Sequence, residues 1–430
     1  MKKRLLAGAL SACLLACAAG CGESAKPAET TPETTAATAP EATAEPAAAP
    51  TTEAAKRELV TTFSEEAVTP YNAFSLELLR RNLKGSGSTL VSPLSVLSAL
   101  GMAANGANGE TLSEFESAFG MSAQELNHFM AYQLDNKDDG ITIINNANSL
   151  WLNSDRGFQA KQEFLGTAEK YYAALIQSVP FTDSLTDQVN SWVKDNTHGM
   201  IDNILDKVDP LDVAYLLNAV AFEAEWLDPY YEYDVKKENF TCENGVVKQM
   251  ELMSGTEYLY LHDDNAEGFL KPYAGPKYAF AALLPNKGVK VKDYLDSLSG
   301  EKLTEILKNA AEDRIDAKIP KFEYTFDAEL NDSLKSMGIK NVFEPGNADL
   351  SRLGTMESGE NVYISRVIHK TFISVAEQGT KAGAATLAGA STGAMQPEQR
   401  KEIFLDRPFV FMLVNRETNT PLFIGTYMGD

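Results

Sequence analysis

The chain has 430 residues, 44% hydrophobic and 23% charged, a globular balance with enough length for one large domain or two ordinary ones. A formal charge of −22 argues against a nucleic-acid partner, because phosphate recognition needs a basic footprint. Four scattered histidines, with no HExxH and no Cys/His cluster, argue against a transition-metal site, and no cofactor is expected.

The first segment is a targeting signal. Met1-Lys2-Lys3-Arg4 is a basic start, and "LLAGALSACLLACAAG" is an apolar run too short for a stable membrane span. It ends in Ala18-Ala19-Gly20-Cys21, similar to a bacterial lipobox, so residues 1–20 read as a lipoprotein signal peptide and Cys21 as the lipidated new N-terminus. Cys13 and Cys17 also follow small residues, but Cys21 leaves the best apolar length; an ordinary cleaved signal peptide is the alternative. Cleavage there takes the charge from −22 to −25 and leaves Cys242 as the one unlipidated cysteine, so no intrachain disulfide is expected.

Residues 22–56 are almost entirely Ala, Thr, Pro and Glu and have too little apolar surface to offset the entropy of ordering. Spaced prolines bias such a chain to extended forms reaching about 100 Å, so residues 21–58 read as a disordered tether lifting a domain off a membrane. The expected location is extracytoplasmic, membrane-anchored through the lipid on a bacterial cell surface.

The folded domain is expected over 59–430. "PYNAFSLELLRRNLKG" places Phe74, Leu78 and Leu79 on one helical face and stops at Gly85. "TLVSPLSVLSALGMAANG" reads as a short strand, then Ser92 as N-cap with Pro93 at the first helical position. Thr111-x-x-Glu114 and Ser122-x-x-Glu125 read as capping boxes opening two more helices. A strand runs through "NANSLWLN", and "FQAKQEFLGTAEKYY" and "LTDQVNSWVKDNTHG" read as helical. From residue 211 the pattern is mostly β, interrupted by helices around 292–310 and 327–337, and it ends in the apolar hairpin "PFVFMLVNRETNTPLFIGTYMG". Helices first and strands later, without βαβ alternation, indicate an α+β domain with large mixed sheets.

Several motifs fail on their context. The acidic "LDNKDDG" has Lys137 at a ligand position and no closing Glu, and "HDDNAE" at 262–267 reads as a solvated turn. Gly389-Ala390-Ser391-Thr392-Gly393 matches G-x-S-x-G, but no apolar strand precedes it and no histidine follows His369, so it is no nucleophile elbow.

The informative segment is "EQGTKAGAATLAGASTGAMQ", residues 377–396. Fourteen of its twenty residues are Gly, Ala, Ser or Thr, yet strongly apolar strands flank it. In an extended chain Thr380, Ala382, Ala384 and Thr386 point one way, all small and uncharged, while Lys381 and Gly383 point the other. "EQGTKAGAAT" resembles the hinge of the serpins, the serine protease inhibitors that act as suicide substrates. "STLVSPLSVLSALGMAANGANGET", "VNSWVKDNTHGMIDNIL", "LLNAVAFEAEW", "IPKFEYTFDAELNDSLKSMGI", "VIHKTFISVAEQGT" and "RPFVFMLVNRETNTPLFIG" are similar to successive parts of the same family, in family order.

The resemblance implies three mixed β-sheets with about eight or nine helices and an exposed, insertable reactive-centre loop. Glu377, Gly379, Thr380, Ala382, Ala384 and Thr386 would form the hinge, and Ser92, Ser95, Asn218 and His369 a polar cluster beneath the opening sheet. Trp226 and Lys321 would stand where the loop first enters. Counting along the loop places the scissile bond near Gly393, Ala394 and Met395, within Thr392–Gln396. These small or unbranched residues suit elastase-like or subtilisin-like serine proteases, held as covalent complexes. The chain would act as a monomer and supply no catalytic residue, the nucleophile being the protease's. Inserting a dozen residues would release on the order of 10 kcal/mol before entropy. The alternatives are a non-inhibitory serpin, which normally carries bulky or charged hinge residues, and a tethered solute-binding lipoprotein, which predicts βαβ alternation.

Overall fold

Local signals set most of the helices. The computed structural model describes residues 60–134, 142–172, 174–380 and 400–429, and among these it contains nine α-helices and three sheets. The first helix, Val68–Arg81, buries Tyr71, Phe74, Leu78 and Leu79. It stops before the expected Gly85, at Arg81, where Asn82 Nδ2 donates back to the Leu78 carbonyl (2.8 Å). Ser92 caps Pro93–Gly106, its Oγ accepting from Ser95 N (3.3 Å).

The two capping boxes part company. At Ser122, Glu125 N donates to Ser122 Oγ (3.2 Å) and Ser122 N to Glu125 Oε2 (2.9 Å), at the start of Ala123–Leu134. The Thr111 box does not form, because its helix starts earlier, at Gly109. Thr111 Oγ1 instead accepts from Asp349 N (3.0 Å), and Glu114 Oε2 from Lys340 N and Asn341 N (2.8 and 2.7 Å). Distant backbone donors outbid the local motif. "FQAKQEFLGTAEKYY" likewise divides into a strand, Phe158–Ala160, and a helix, Gln162–Tyr172. The "HDDNAE" segment is a tight turn, with Asp263 Oδ1 accepting from Asn265 N and Ala266 N (both 2.8 Å).

Among the described residues the largest sheet has nine strands and contains the C-terminal hairpin Phe409–Asn415 and Thr420–Tyr427, and only Lys401–Phe404 joins it in parallel, beside Ala311–Pro320. A two-stranded ribbon pairs Gly354–Met356 with Phe158–Ala160. The six-stranded sheet holds the candidate site. Its central strands are Ala214–Glu225 and Arg366–Ala376, flanked by Phe322–Glu329 on one side and Thr142–Asn153 and Leu175–Val179 on the other.

Both faces of that sheet are covered. Leu216, Val220, Phe222 and Ala224 join the main core, whereas Tyr215, Leu217 and Ala219 pack with Leu185, Val189 and Val193 of the Asp183–Asn196 helix. A period of two produces this division, as the pleat demands. Asn218 has the parity of the main-core face, where a polar side chain needs a partner.

Candidate functional site: the mouth of the six-stranded sheet

The two central strands are neighbours along only part of their length. From Arg366↔Tyr215 to Thr371↔Val220 they pair directly and in parallel. Higher up, Gly379 and Thr380 stand between them, pairing with Ala376 and Val375 on one side and with Glu225 and Ala224 on the other. A strand between two others doubles their spacing, from about 5 Å to roughly 10 Å. The sheet is therefore closed below and wedged apart above by two residues of its own chain.

The wedge fits because of what those residues are. Gly379 has φ +156°, and a Cβ there would lie 2.1 Å from the Ala224 carbonyl oxygen, so the close approach requires glycine. Thr380 is buried, and its hydroxyl meets Tyr273 Oη at 2.6 Å. Tyr273 stacks on Trp226, with ring centroids 4.6 Å apart.

Three backbone carbonyls of the turn before the wedge are gripped from the Trp226–Tyr230 segment. Trp226 Nε1 donates to Ala376 O, Trp226 N to Gln378 O and Tyr230 N to Glu377 O, each at 2.9 Å. At the rim Lys321 Nζ lies 2.8 Å from Glu377 Oε1 and 3.2 Å from Glu251 Oε2. Burial pulls the Glu377 carboxyl upward, but the Lys321 bond and charge outweigh it and hold it below its ordinary value. The bond to Glu377 correspondingly raises the Lys321 ammonium.

The polar cluster lies across the closed part. Asn148, Asn218 and His369 occupy one row over three strands, in register. Asn218 Nδ2 donates to Asn148 Oδ1, and Ser95 Oγ donates to the same oxygen (3.3 Å). Ser92 N donates to His369 Nε2 (3.1 Å), so the imidazole proton sits on Nδ1 and is donated to Asn218 Oδ1 (2.6 Å). Ser92 Oγ donates to the Leu422 carbonyl (2.7 Å), and Thr371 Oγ1 to the Leu90 carbonyl (3.0 Å), which ties the row to the large sheet. Full burial pushes the His369 pKa down to about 3, since an imidazolium would lose its water and face the Ser92 N–H with a second donor.

Of the residues singled out in the sequence, Ser92, Ser95, Asn218 and His369 lie in one connected network, and Glu377, Gly379, Thr380, Trp226 and Lys321 meet at the mouth. Ala382, Ala384, Thr386, Gly393, Ala394, Met395 and Cys21 lie outside the described residues. Sequence reasoning missed Asn148, which joins Ser95 to Asn218 and whose Nδ2 is buried with no protein partner among the described residues. Nothing in the sequence singled it out, since its strand, Thr142–Asn153, carries four asparagines. It also missed Tyr273 and Tyr230. Among the described residues no group of three or more His, Cys, Asp or Glu is arranged to hold a metal.

Comparison with known proteins agrees with this geometry. The family model described as Serpin (serine protease inhibitor) matches residues 69–429. An uncharacterized serpin-like protein of Thermococcus kodakarensis is 30% identical over 371 residues, covering 84% of this chain and 85% of that protein. The leukocyte elastase inhibitor of Homo sapiens is 29% identical over 359 residues, covering 80% and 93%. Among solved structures, the thermophilic serpin tengpin in its native state superposes with a TM-score of 0.82 at 39% identity, covering 87% of this chain and 97% of that one. The same serpin in its latent state gives 0.75 at 37% identity, covering 86% and 99%.

Proposed function

The chain belongs to the serpin family, and on that premise we propose that it inhibits serine proteases as a suicide substrate. The observation that carries this reading is the wedge: Gly379 and Thr380 already lie between the central strands, in the register a longer insertion would continue. By alternation Ala382, Ala384 and Thr386 would follow Thr380 into the core face, and all are small and uncharged.

The reaction uses the protease's own serine. Its hydroxyl attacks a loop carbonyl within Thr392–Gln396, the peptide C–N bond breaks, and the amine leaves with the C-terminal fragment. An acyl ester then links protease to loop. Insertion of the loop would carry the protease along and distort its active site before water reaches the ester. The polar row resists this by fastening the strands that must separate, which keeps the loop out until cleavage releases it.

Elastase-like and subtilisin-like proteases fit the small residues near Gly393, Ala394 and Met395. A similar chain named leukocyte elastase inhibitor makes elastase the first protease to try. The test is to mix the two, run denaturing electrophoresis and map the released C-terminal fragment by mass. A detergent-resistant band at the summed mass, with a fragment starting at 394, 395 or 396, is the expected result. Clean loop cleavage without that band, for every such protease, would instead mark a non-inhibitory member of the family.

The anchoring is proposed on sequence alone: Cys21 carries a lipid and residues 21–58 hold the domain away from a bacterial membrane. Mass analysis of the mature N-terminal peptide should find a diacylglyceryl group on Cys21, and Cys21→Ser should release the protein to the soluble fraction.

A further inference from the structure

A buried ion pair lies beneath the segment that grips the hinge, and none of the roles above uses it. Lys271 Nζ is 2.9 Å from Glu257 Oε1, with side chains only 4% and 5% exposed. The same ammonium donates to the Asp228 carbonyl (3.0 Å) and sits over the rings of Tyr230 (4.3 Å) and Trp226 (5.4 Å). Tyr230 Oη in turn donates to Glu257 Oε1 (3.4 Å). Trp226, Asp228 and Tyr230 are thus fastened from below, while the backbone amides of Trp226 and Tyr230 and the Trp226 indole hold residues 376–378.

Such a pair is an inefficient way to gain stability. Desolvating two charges offsets most of their attraction, and a well-packed apolar pair often does as well. Burial raises the Glu257 carboxyl from its ordinary value even against the pull of Lys271. What the pair supplies is direction: one ammonium addresses a carbonyl, a carboxylate and two ring faces at fixed angles, which an apolar contact cannot do.

We infer that Lys271 and Glu257 are positioning residues for loop insertion: they lock the Trp226–Tyr230 segment onto residues 376–378 and so set how readily the sheet mouth admits a strand. This rests on the loop-insertion reading. With the pair intact, the mouth resists a further strand until cleavage. With one partner removed, the segment shifts to hydrate or neutralise the other, and the mouth yields more easily.

The test uses a synthetic peptide of residues 380–391, TKAGAATLAGAS, and follows its uptake by the uncleaved protein as a rise in thermal midpoint over time. Glu257→Gln and Lys271→Met should each take up the peptide about tenfold faster than the unmodified protein, the effect of losing one modest interaction. The double variant Glu257→Gln/Lys271→Met should stay about as fast as the single variants, since it too lacks the ammonium that fixes the segment's direction. Leu303→Ala, buried in the Gly300–Lys308 helix that packs on the first helix, serves as the control: it should lower the midpoint without changing uptake. Should Lys271→Met fail to fold, Glu257→Gln keeps the volume and the Tyr230 acceptor and carries the test.

Folded single variants with unchanged uptake would overturn the inference, as would a double variant that returns to the unmodified rate. If the unmodified protein neither takes up peptide nor gains heat resistance when its loop is cut, loop insertion itself is wrong and this inference falls with it.

Discussion

The lower and upper parts of one strand pair are held by opposite means. Between Arg366 and Thr371 the two central strands touch, and a buried row of Asn148, Asn218 and His369, tied to Ser92 and Ser95, makes their contact worth keeping. Between Val375 and Ala376 they stand apart, with two hinge residues wedged in and three carbonyls gripped from outside. On the loop-insertion reading proposed above, the lower part would stabilise closure and the upper part would prepare opening.

The comparison can be broken most severely at the wedge. Thr380→Arg puts a charge at a buried position whose neighbour is a tyrosine hydroxyl. An uncompensated buried charge costs about 3–5 kcal/mol, so the loop should remain outside after cleavage. The expected outcome is cleavage without a covalent complex and without the gain in thermal midpoint that insertion brings. A complex formed at normal yield would show that the wedge is not where insertion starts.

The next effect belongs to the closed part. Asn218→Ala leaves the His369 Nδ1–H without its acceptor and Asn148 Oδ1 with Ser95 Oγ alone, and should cost about 1–3 kcal/mol in urea unfolding. It should also speed spontaneous loop insertion, and slower insertion would contradict the fastening role.

A pH titration sharpens the same point. His369 has a folded pKa depressed to about 3, well below that of a free histidine, so the unfolded chain binds a proton first. The stability it contributes is complete above about pH 6.5 and is lost as pH falls below that, at up to about 1.4 kcal/mol per pH unit. Unfolding midpoints from pH 7.5 to 5 should therefore decline more steeply for the unmodified protein than for His369→Gln, whose side chain does not titrate.

The smallest effect is expected at the rim. Lys321 and Glu377 are still 30% and 29% exposed, so Lys321→Ala should change stability by no more than about 1 kcal/mol and less in high salt. A larger, salt-insensitive loss would mean that the rim pair fastens the mouth as strongly as the Trp226 segment does.

Much of this arrangement was legible beforehand. Ser92 announced itself as a helix cap, and the family resemblance pointed to Asn218. The small residues after Glu377 stood out because their flanks are so apolar. Other features were not legible, for physical reasons. Thr111 and Glu114 look like a capping box, but donors at Asp349, Lys340 and Asn341 claim their side chains across more than two hundred residues of sequence. Asn148 sits in a strand whose partners are remote, and Lys271 and Glu257 read as ordinary strand-surface charges until both prove to be buried.

The sequence by itself determined the helix caps at Ser92 and Ser122, the small uncharged residues on one face of the hinge and the family, because these depend on neighbours one to four residues apart or on long ordered matches. Only the tertiary structure decided where the sheet is fastened and where it is wedged open. That depends on side chains brought together from distant segments, and a buried polar group's partner is chosen by proximity in space rather than by spacing along the chain.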